Sequence, residues 1–256
     1  MRVPYTLKRM VMGLVSAVDS ATGLDLYCED GLVDAHSHDF LRQPDFLRAY
    51  ERGVRAEGKD HGIRWRIHVA LWVARCASRL QRGDFVECGV NRGFVSSAIM
   101  EHLHWDTQGR VFYLLDTFSG LDARHVSQVE VAAGALRENA RKLKAGFYSS
   151  DVESVRKNFS EWKNIKIIPG SIPDTLPAVD SSAIAYLHLD MNCAPPEVAA
   201  LDFFWPRIVP GGFVLLDDYA QREFGAQKFA MDVAAAARGL EVLSMPTGQG
   251  LLLKPV

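Results

Sequence analysis

Hydrophobic positions change their period along this chain, and the change divides it. Across residues 66–80, Ile67, Ala70, Leu71, Val73, Ala74 and Ala77 keep one apolar side at helical spacing. After Gln81-Arg82-Gly83 the rhythm becomes one of short apolar runs separated by helical stretches. The runs at 84–88, 111–115, 165–168, 184–189 and 213–216 are apolar almost throughout. Strands covered on both faces of a parallel sheet have that character. Helices are predicted between them at 94–104, 129–144, 152–159 and 196–208. Ser150 and Glu153 have the spacing of a capping box for the third of these. A further helix at 225–238 precedes two apolar runs, 240–244 and 251–254. Their Met-Pro-Thr-Gly-Gln-Gly link is short enough to force an antiparallel pair. The pattern predicts an α/β fold of five parallel strands with a closing antiparallel hairpin.

Residues 1–62 lack this rhythm and read as irregular, with short apolar stretches among acidic, His and Gly positions. Within them, residues 10–18 form an apolar run behind Lys8 and Arg9, broken by Gly13 and Ser16. No small-x-small cleavage site follows, and Leu7, Val11, Leu14, Val15 and Val18 keep helical spacing. The run is therefore read as an amphipathic helix, and the chain as an N-terminal helical extension (1–62) before a main domain (63–256). The 256 residues are 48% hydrophobic and 23% charged, which excludes disorder, collagen and coiled coil. Lys and Arg number 29 against 31 acids, so the basic surplus of a nucleic-acid binder is missing. No apolar run reaches 18 residues, so no membrane span is expected. Cys28, Cys76, Cys88 and Cys193 form no CxxC pair; Cys76 and Cys88 sit within apolar segments and are expected to be reduced core thiols, in a cytoplasmic protein.

The chemistry gathers at predicted strand ends. The first strand runs into Glu87-Cys88-Gly89-Val90-Asn91-Arg92-Gly93 and then a helix, the strand–turn–helix at which α/β sheets bind ligands. The spacing is E-x-G-x-x-x-G, not the G-x-G-x-x-G of dinucleotide enzymes. A wider loop with an acid at its start suits a ligand with an amino-acid end. The second strand ends in Asp116-Thr117-Phe118, with a carboxylate placed to accept ribose hydroxyls. The third ends at Gly170-Ser171-Ile172, where the glycine lets backbone approach a flat ring. Singly, a glycine turn or a strand-end Asp is often structural. Three in order on successive strands point to a nucleoside.

The fourth strand ends in Asp190 and the fifth in Asp217-Asp218, tips that neighbour each other in a parallel sheet. Such a cluster must take up a proton or a cation, unless one or two of the acids cap helices. Oxygen-only donors favour a hard ion, Mg²⁺ first.

Together, the glycine loop, Asp116-Thr-Phe-Ser-Gly, Gly170-Ser-Ile-Pro-Asp-Thr-Leu-Pro, Leu187-His-Leu-Asp190 and Gly211-Gly-Phe-Val-Leu-Leu-Asp-Asp-Tyr219 resemble the macrocin O-methyltransferase family over about residues 62–256. The resemblance implies a Rossmann-like class I methyltransferase that uses S-adenosylmethionine and Mg²⁺ to methylate a sugar hydroxyl in antibiotic tailoring. It implies that Glu87, Gly89 and Gly93 line the methionine end and that Asp116 binds the ribose. Asn91, Phe118, Gly170, Ser171 and Ile172 complete the expected cofactor contacts. It assigns the metal to Asp190, Asp217 and Asp218, and makes Asp190 the candidate general base. A metal chelated by two adjacent hydroxyls would lower the pKa of one, so the expected acceptor is a vicinal diol. It further implies a homo-oligomer, with the extension as contact or substrate cover. Where many relatives carry a second acid and an aromatic after the fourth-strand Asp, this chain has Asn192-Cys193-Ala-Pro-Pro.

Rival readings are a metal-free methyltransferase, a non-catalytic nucleoside-binding protein and, more remotely, a metal-dependent hydrolase. The last rests on Gly31-Leu-Val-Asp-Ala-His36-Ser-His38, which imitates a first-strand metal motif with both imidazoles on one side of a strand. His68 is read as a core histidine and Lys228 as a surface residue. Of Arg64 and Arg66, one could reach the cofactor carboxylate, or both could sit at a solvated helix start. Residues 121–144 read either as a lid or as an exposed helix.

Overall fold

In chain order the elements are α1 (Tyr5–Thr22), β1 (Tyr27–Glu29), β2 (Leu32–Asp34), α2 (Pro44–Glu57), α3 (Arg64–Ser78), β3 (Asp84–Cys88), α4 (Phe94–Leu103), β4 (Phe112–Asp116), α5 (Gln128–Ala133), α6 (Ala135–Lys144), α7 (Val152–Asn158), β5 (Ile165–Pro169), β6 (Ile184–Leu189), α8 (Ala194–Phe204), β7 (Ile208–Leu216), α9 (Gly225–Ala236), β8 (Leu243–Ser244) and β9 (Gly250–Leu253). This is a computed structural model, describing residues 5–23 and 25–256. The main sheet has the order β5-β4-β3-β6-β7-β9-β8. Its first five members are parallel, and β9 joins β7 and β8 antiparallel. Five parallel strands with a closing hairpin are therefore what the chain builds. Among the described residues no helix is long and apolar enough to cross a membrane.

Both faces of the sheet are covered, as the unbroken apolar strands require. One core layer joins α2, α3 and α4 to Phe85, Phe112, Leu114 and Tyr186. The other joins α8 and α9 to Val86, Leu115, Leu187 and Val214. β7 starts five residues before the expected run, because Pro210, Gly211 and Gly212 look like a turn but lie within the strand as an irregularity. There the register jumps from Ile184↔Ile208 to Tyr186↔Phe213.

Three local expectations are corrected. The helix predicted at 129–144 is two helices, because Gly134 at φ +94° ends α5 and starts α6. Ser150 does not cap α7; Asp151 does, accepting from the Glu153 and Ser154 backbone N–H groups at 3.0 and 3.3 Å. The capping box belongs instead to Ser127 and Glu130 at the start of α5. Residues 1–62 are not irregular. The described residues among them form α1, the β1–β2 hairpin and α2, and Phe40, Phe46, Ala49 and Tyr50 are buried in the same core layer as α3 and α4. His68 stacks on Phe40 with ring centres 4.0 Å apart, a core histidine whose pKa burial lowers. α1 leaves Met10, Leu14 and Val18 exposed.

The acid Glu197, on α8, is 3% exposed and accepts from the Met191 N–H at 3.1 Å and the Gln227 amide at 2.5 Å. Burial, with Asp218 and Glu130 adding, pushes its pKa up to about 8 against these two bonds. The folded protein therefore keeps a proton that the unfolded chain releases above its ordinary pKa near 4.5, and stability falls as pH rises between the two values. Glu197→Gln, which cannot ionise, is expected to melt at progressively higher temperature relative to wild type as pH is raised from 5.5 to 8. A melting-temperature difference that does not grow with pH would contradict the placement of this proton.

Candidate functional site

The strand ends converge on a cavity of about 430 Å³. Parallel strands put all their carboxyl ends on one edge, which is where open α/β sheets bind ligands. β3 contributes Glu87, which is 2% exposed. Its Oε1 lies 2.9 Å from His188 Nδ1, while its Oε2 is buried with no hydrogen-bond partner among the described residues. Gly89 follows at φ +91°, where a Cβ would stand 1.9 Å from the Asp190 carbonyl oxygen. Only glycine lets the loop pass so near β6. That approach sets Asp190 beside the glycine loop. Gly93 opens α4 where a Cβ would meet the Phe159 ring, and Phe118 is 6% exposed in the core; neither is on the cavity wall. Glu87, Gly89, Asn91, Asp116, Gly170, Ser171, Ile172, Asp190, Asp217 and Asp218 all are.

Asp116 is held by backbone. Its Oδ2 accepts from Val90 and Asn91 N–H at 2.7 and 2.8 Å, and its Oδ1 from Phe118 N–H at 2.6 Å. Burial raises its pKa against those three bonds and a fourth from the Thr117 hydroxyl. With this long contact from the Thr117 hydroxyl to Oδ1 at 3.5 Å, all of about four acceptor positions are in use, and a ribose hydroxyl would take the place of that weakest contact. Asn91, on the cavity wall, acts as a clamp. Its Oδ1 accepts from Ser149 N–H at 2.6 Å, and its Nδ2 donates to the Phe147 carbonyl at 3.0 Å. Arg92 donates to the Gly146 and Phe147 carbonyls at 2.8 and 3.0 Å. The segment after α6 is thus tied to the glycine loop. At its other end, Glu130 accepts from the Ala194 N–H at 2.7 Å, at the start of α8. Residues 121–149 form a cover pinned at both sides rather than a helix free in solvent.

Asp217 is 5% exposed. Its Oδ2 takes an Arg66 N–H at 2.6 Å, and its Oδ1 takes the Gln249 amide at 3.1 Å and lies 3.7 Å from His188 Nε2. Asp218 Oδ1 accepts from Arg66 at 3.1 Å. Asp190 Oδ1 accepts from Asn192 Nδ2 at 3.1 Å. Burial and the two neighbouring acids raise the Asp190 pKa well above the usual carboxylate range. Burial and Asp217 push Asp218 up to about 6. Asp217 goes the other way, held low against its burial by Arg66 and His188. For His188, burial disfavours the charge, yet Asp217 and Glu87 raise its pKa to about 10.

The cofactor and the metal fare differently. An unpartnered buried Glu87 oxygen beside a glycine turn is what an ammonium group of a methionine end would need. The donor types at Asp190, Asp217 and Asp218 suit a hard cation. Four of their six oxygens are nevertheless committed to Arg66, Gln249 and Asn192, and among the described residues no three His, Cys, Asp or Glu side chains are grouped to hold a metal. With Arg66 in place the residues do not fit a divalent ion. Sequence reasoning took Arg64 or Arg66 for a cofactor contact or both for a solvated helix start; Arg66 is not solvated but lies on the cavity wall, 11% exposed and paired with Asp30, Asp217 and Asp218. The signal for its place was electrostatic: three clustered carboxylates call for a cation, and Arg66 opens a helix of the same layer. Also unanticipated on the wall are Asp30, Glu57 and His61 from the extension, and Tyr148 and Lys142 from the cover. His36 and His38 follow β2 in a loop, not on a strand, and neither lines the cavity. His36 pairs with Asp34 at the surface, which removes the geometric basis of the hydrolase reading. Lys228 pairs with Asp232 at 2.7 Å, away from the cavity.

Against known proteins, residues 68–240 match the family described as Macrocin-O-methyltransferase. An 8-demethyl-8-(2,3-dimethoxy-alpha-L-rhamnosyl)-tetracenomycin-C 4'-O-methyltransferase of Streptomyces olivaceus is 34% identical over 145 residues, 54% of this chain and 53% of that protein. In that comparison the chain spans about half the length of its relative. A demethyldecarbamoylnovobiocin O-methyltransferase of Streptomyces niveus is 26% identical over 72% of this chain and 73% of its own. Among solved structures, the O-methyltransferase NovP superposes with TM-score 0.65 at 20% identity, covering 97% of this chain and all of its own. The calicheamicin methyltransferase CalS11 does so with TM-score 0.56 at 16% identity, covering 86% and 95%. These likenesses show the class I methyltransferase fold, and because the family match spans more than half of the chain, the protein is a member of the macrocin O-methyltransferase family.

Proposed function

We propose that the protein transfers a methyl group from S-adenosylmethionine to a hydroxyl of a small, glycosylated molecule. One observation supports this most: a single cavity joins Glu87, the glycine loop, Asp116 and Gly170–Ile172 to the carboxylate of Asp190. The S. olivaceus relative is named for a rhamnosyl-bearing substrate, and a Micromonospora griseorubida relative, 27% identical over 54% of this chain, for a mycinamicin 3''-hydroxyl. When bound, S-adenosylmethionine supplies an already activated sulfonium methyl. What the chain adds is alignment. Glu87 Oε2 receives the ammonium end, Asp116 a ribose hydroxyl, and the backbone at Gly170 faces the ring. Fixing the acceptor oxygen in line with the methyl supplies up to about 7–11 kcal/mol of the barrier. Asp190, oriented by the amide of Asn192, takes the acceptor proton as the C–O bond forms in place of the methyl–sulfur bond, the leaving group being the neutral thioether S-adenosylhomocysteine. No metal step is part of this reading. The vicinal diol was expected as a partner for a chelated ion and stands or falls with that ion.

Asp190→Asn is expected to leave cofactor binding intact while lowering kcat by about 10²–10⁴-fold, measured by methyl transfer to a panel of glycosylated small molecules. Because its pKa is raised, Asp190 loses its proton only above the usual carboxylate range, so wild-type turnover should climb with pH across the acid limb. That limb should vanish in the variant. Undiminished turnover by Asp190→Asn would overturn the assignment of the base. Glu87→Gln, in a site that still binds adenosine, is expected to weaken S-adenosylhomocysteine about tenfold in calorimetry. Unchanged affinity would place the methionine end elsewhere.

A further inference from the structure

We propose that Arg66 is the resident cation of the carboxylate cluster, a positioning residue that fixes Asp217 and Asp218 and closes them to divalent metal. The inference deepens the methyltransferase reading, on which it rests, by stating what neutralises the acids beside its proposed base.

A guanidinium carries five N–H donors in a rigid fork. In this cluster Arg66 spends them on three carboxylates. From one side, Nε and NH2 donate to Asp30 Oδ2 at 3.1 and 2.8 Å. From the other, NH1 donates to Asp217 Oδ2 at 2.6 Å and to Asp218 Oδ1 at 3.1 Å. The side chain is only 11% exposed. It springs from the first turn of α3.

Of the six carboxylate oxygens a metal at this place could draw on, four are already taken. Asp217 has one oxygen on Arg66 and the other on Gln249. Asp190 has Oδ1 on Asn192. Mg²⁺ gives up its water reluctantly and demands near-octahedral oxygens. To enter, it would have to break two charge-assisted bonds to a cation that Asp30 tethers from behind. The guanidinium does not deprotonate at any working pH. Asp30 lies in the turn between β1 and β2, so the N-terminal extension supplies the rear wall of the cluster.

The test is Mn²⁺ binding followed by electron paramagnetic resonance on the full chain, with S-adenosylhomocysteine calorimetry as the check that each variant is folded. Wild type should show no bound Mn²⁺ up to about 1 mM, the weak end of oxygen-ligand cation sites. Arg66→Met, which leaves the carboxylates bare, should bind one Mn²⁺ at least tenfold more tightly than wild type. Arg66→Lys keeps a cation and should stay closed. One Mn²⁺ bound to wild type below the millimolar range would overturn the proposal, as would a folded Arg66→Met that takes up no metal. Should Arg66→Met fail to fold, wild type and Arg66→Lys still decide. Failure of S-adenosylhomocysteine to bind wild type would sink the methyltransferase reading and leave the Mn²⁺ comparison standing.

Discussion

The constraint on which the site depends is the crowding of negative charge at the ends of β6 and β7. Parallel pairing of adjacent strands brings Asp190 and the Asp217-Asp218 pair to one edge, and backbone hydrogen bonds run from Asp190 N–H to Cys88 and from Asp217 N–H to Leu189. Like charges about 4 Å apart repel by roughly 4 kcal/mol at an effective dielectric near 20. The fold answers in three ways. Arg66 and His188 hold Asp217 ionised, Asp218 sits with a pKa of about 6, and Asp190 keeps its proton well above the usual range. The acids are thus driven apart in their protonation, and that divergence is what separates structural carboxylates from a candidate base.

Much of the rest serves to hold this edge shut. Asp30 and Arg66 tie the N-terminal hairpin and α3 to the end of β7, while Arg52, on α2, reaches the carbonyl of Asn158, the last residue of α7, and Glu161 beyond it. The glycine loop binds the cover through Asn91 and Arg92, and Glu130 binds it to the start of α8. The extension and the cover therefore share the walls of the cavity with the sheet. A site built this way aligns by many short contacts, which suits a reaction in which positioning does most of the work.

How far the sequence was legible follows from what each signal depends on. The strands 84–88 and 184–189 were readable to the residue, because strands buried on both faces leave an unbroken apolar run. β7 was read short, because Pro210-Gly211-Gly212 carries turn chemistry that the neighbouring strands overrule. α2 was missed altogether. It is amphipathic and polar on average, and its buried side, Phe46, Ala49 and Tyr50, is recognisable only once α4 is there to receive it. That Glu87, Gly89, Asp116, Gly170, Asp190 and the Asp217-Asp218 pair gather on one cavity wall was legible because motif and topology agree, whereas Gly93 and Phe118 fall outside that wall. The places of Arg66, Asp30, Glu57 and His61 were not, since they reach the cavity from outside the strand-end motifs, across distances in sequence that no spacing rule records.

The central claim is that one cavity binds the nucleoside and amino-acid ends of S-adenosylmethionine without help from a metal. It is tested most directly by calorimetric titration of the wild-type protein with S-adenosylhomocysteine, once in chelator and once in Mg²⁺. The predicted result is micromolar, one-to-one binding that is the same in both buffers. No heat in either would contradict the cofactor site. Binding that requires Mg²⁺ would contradict the role of Arg66 as the cation of the carboxylate cluster.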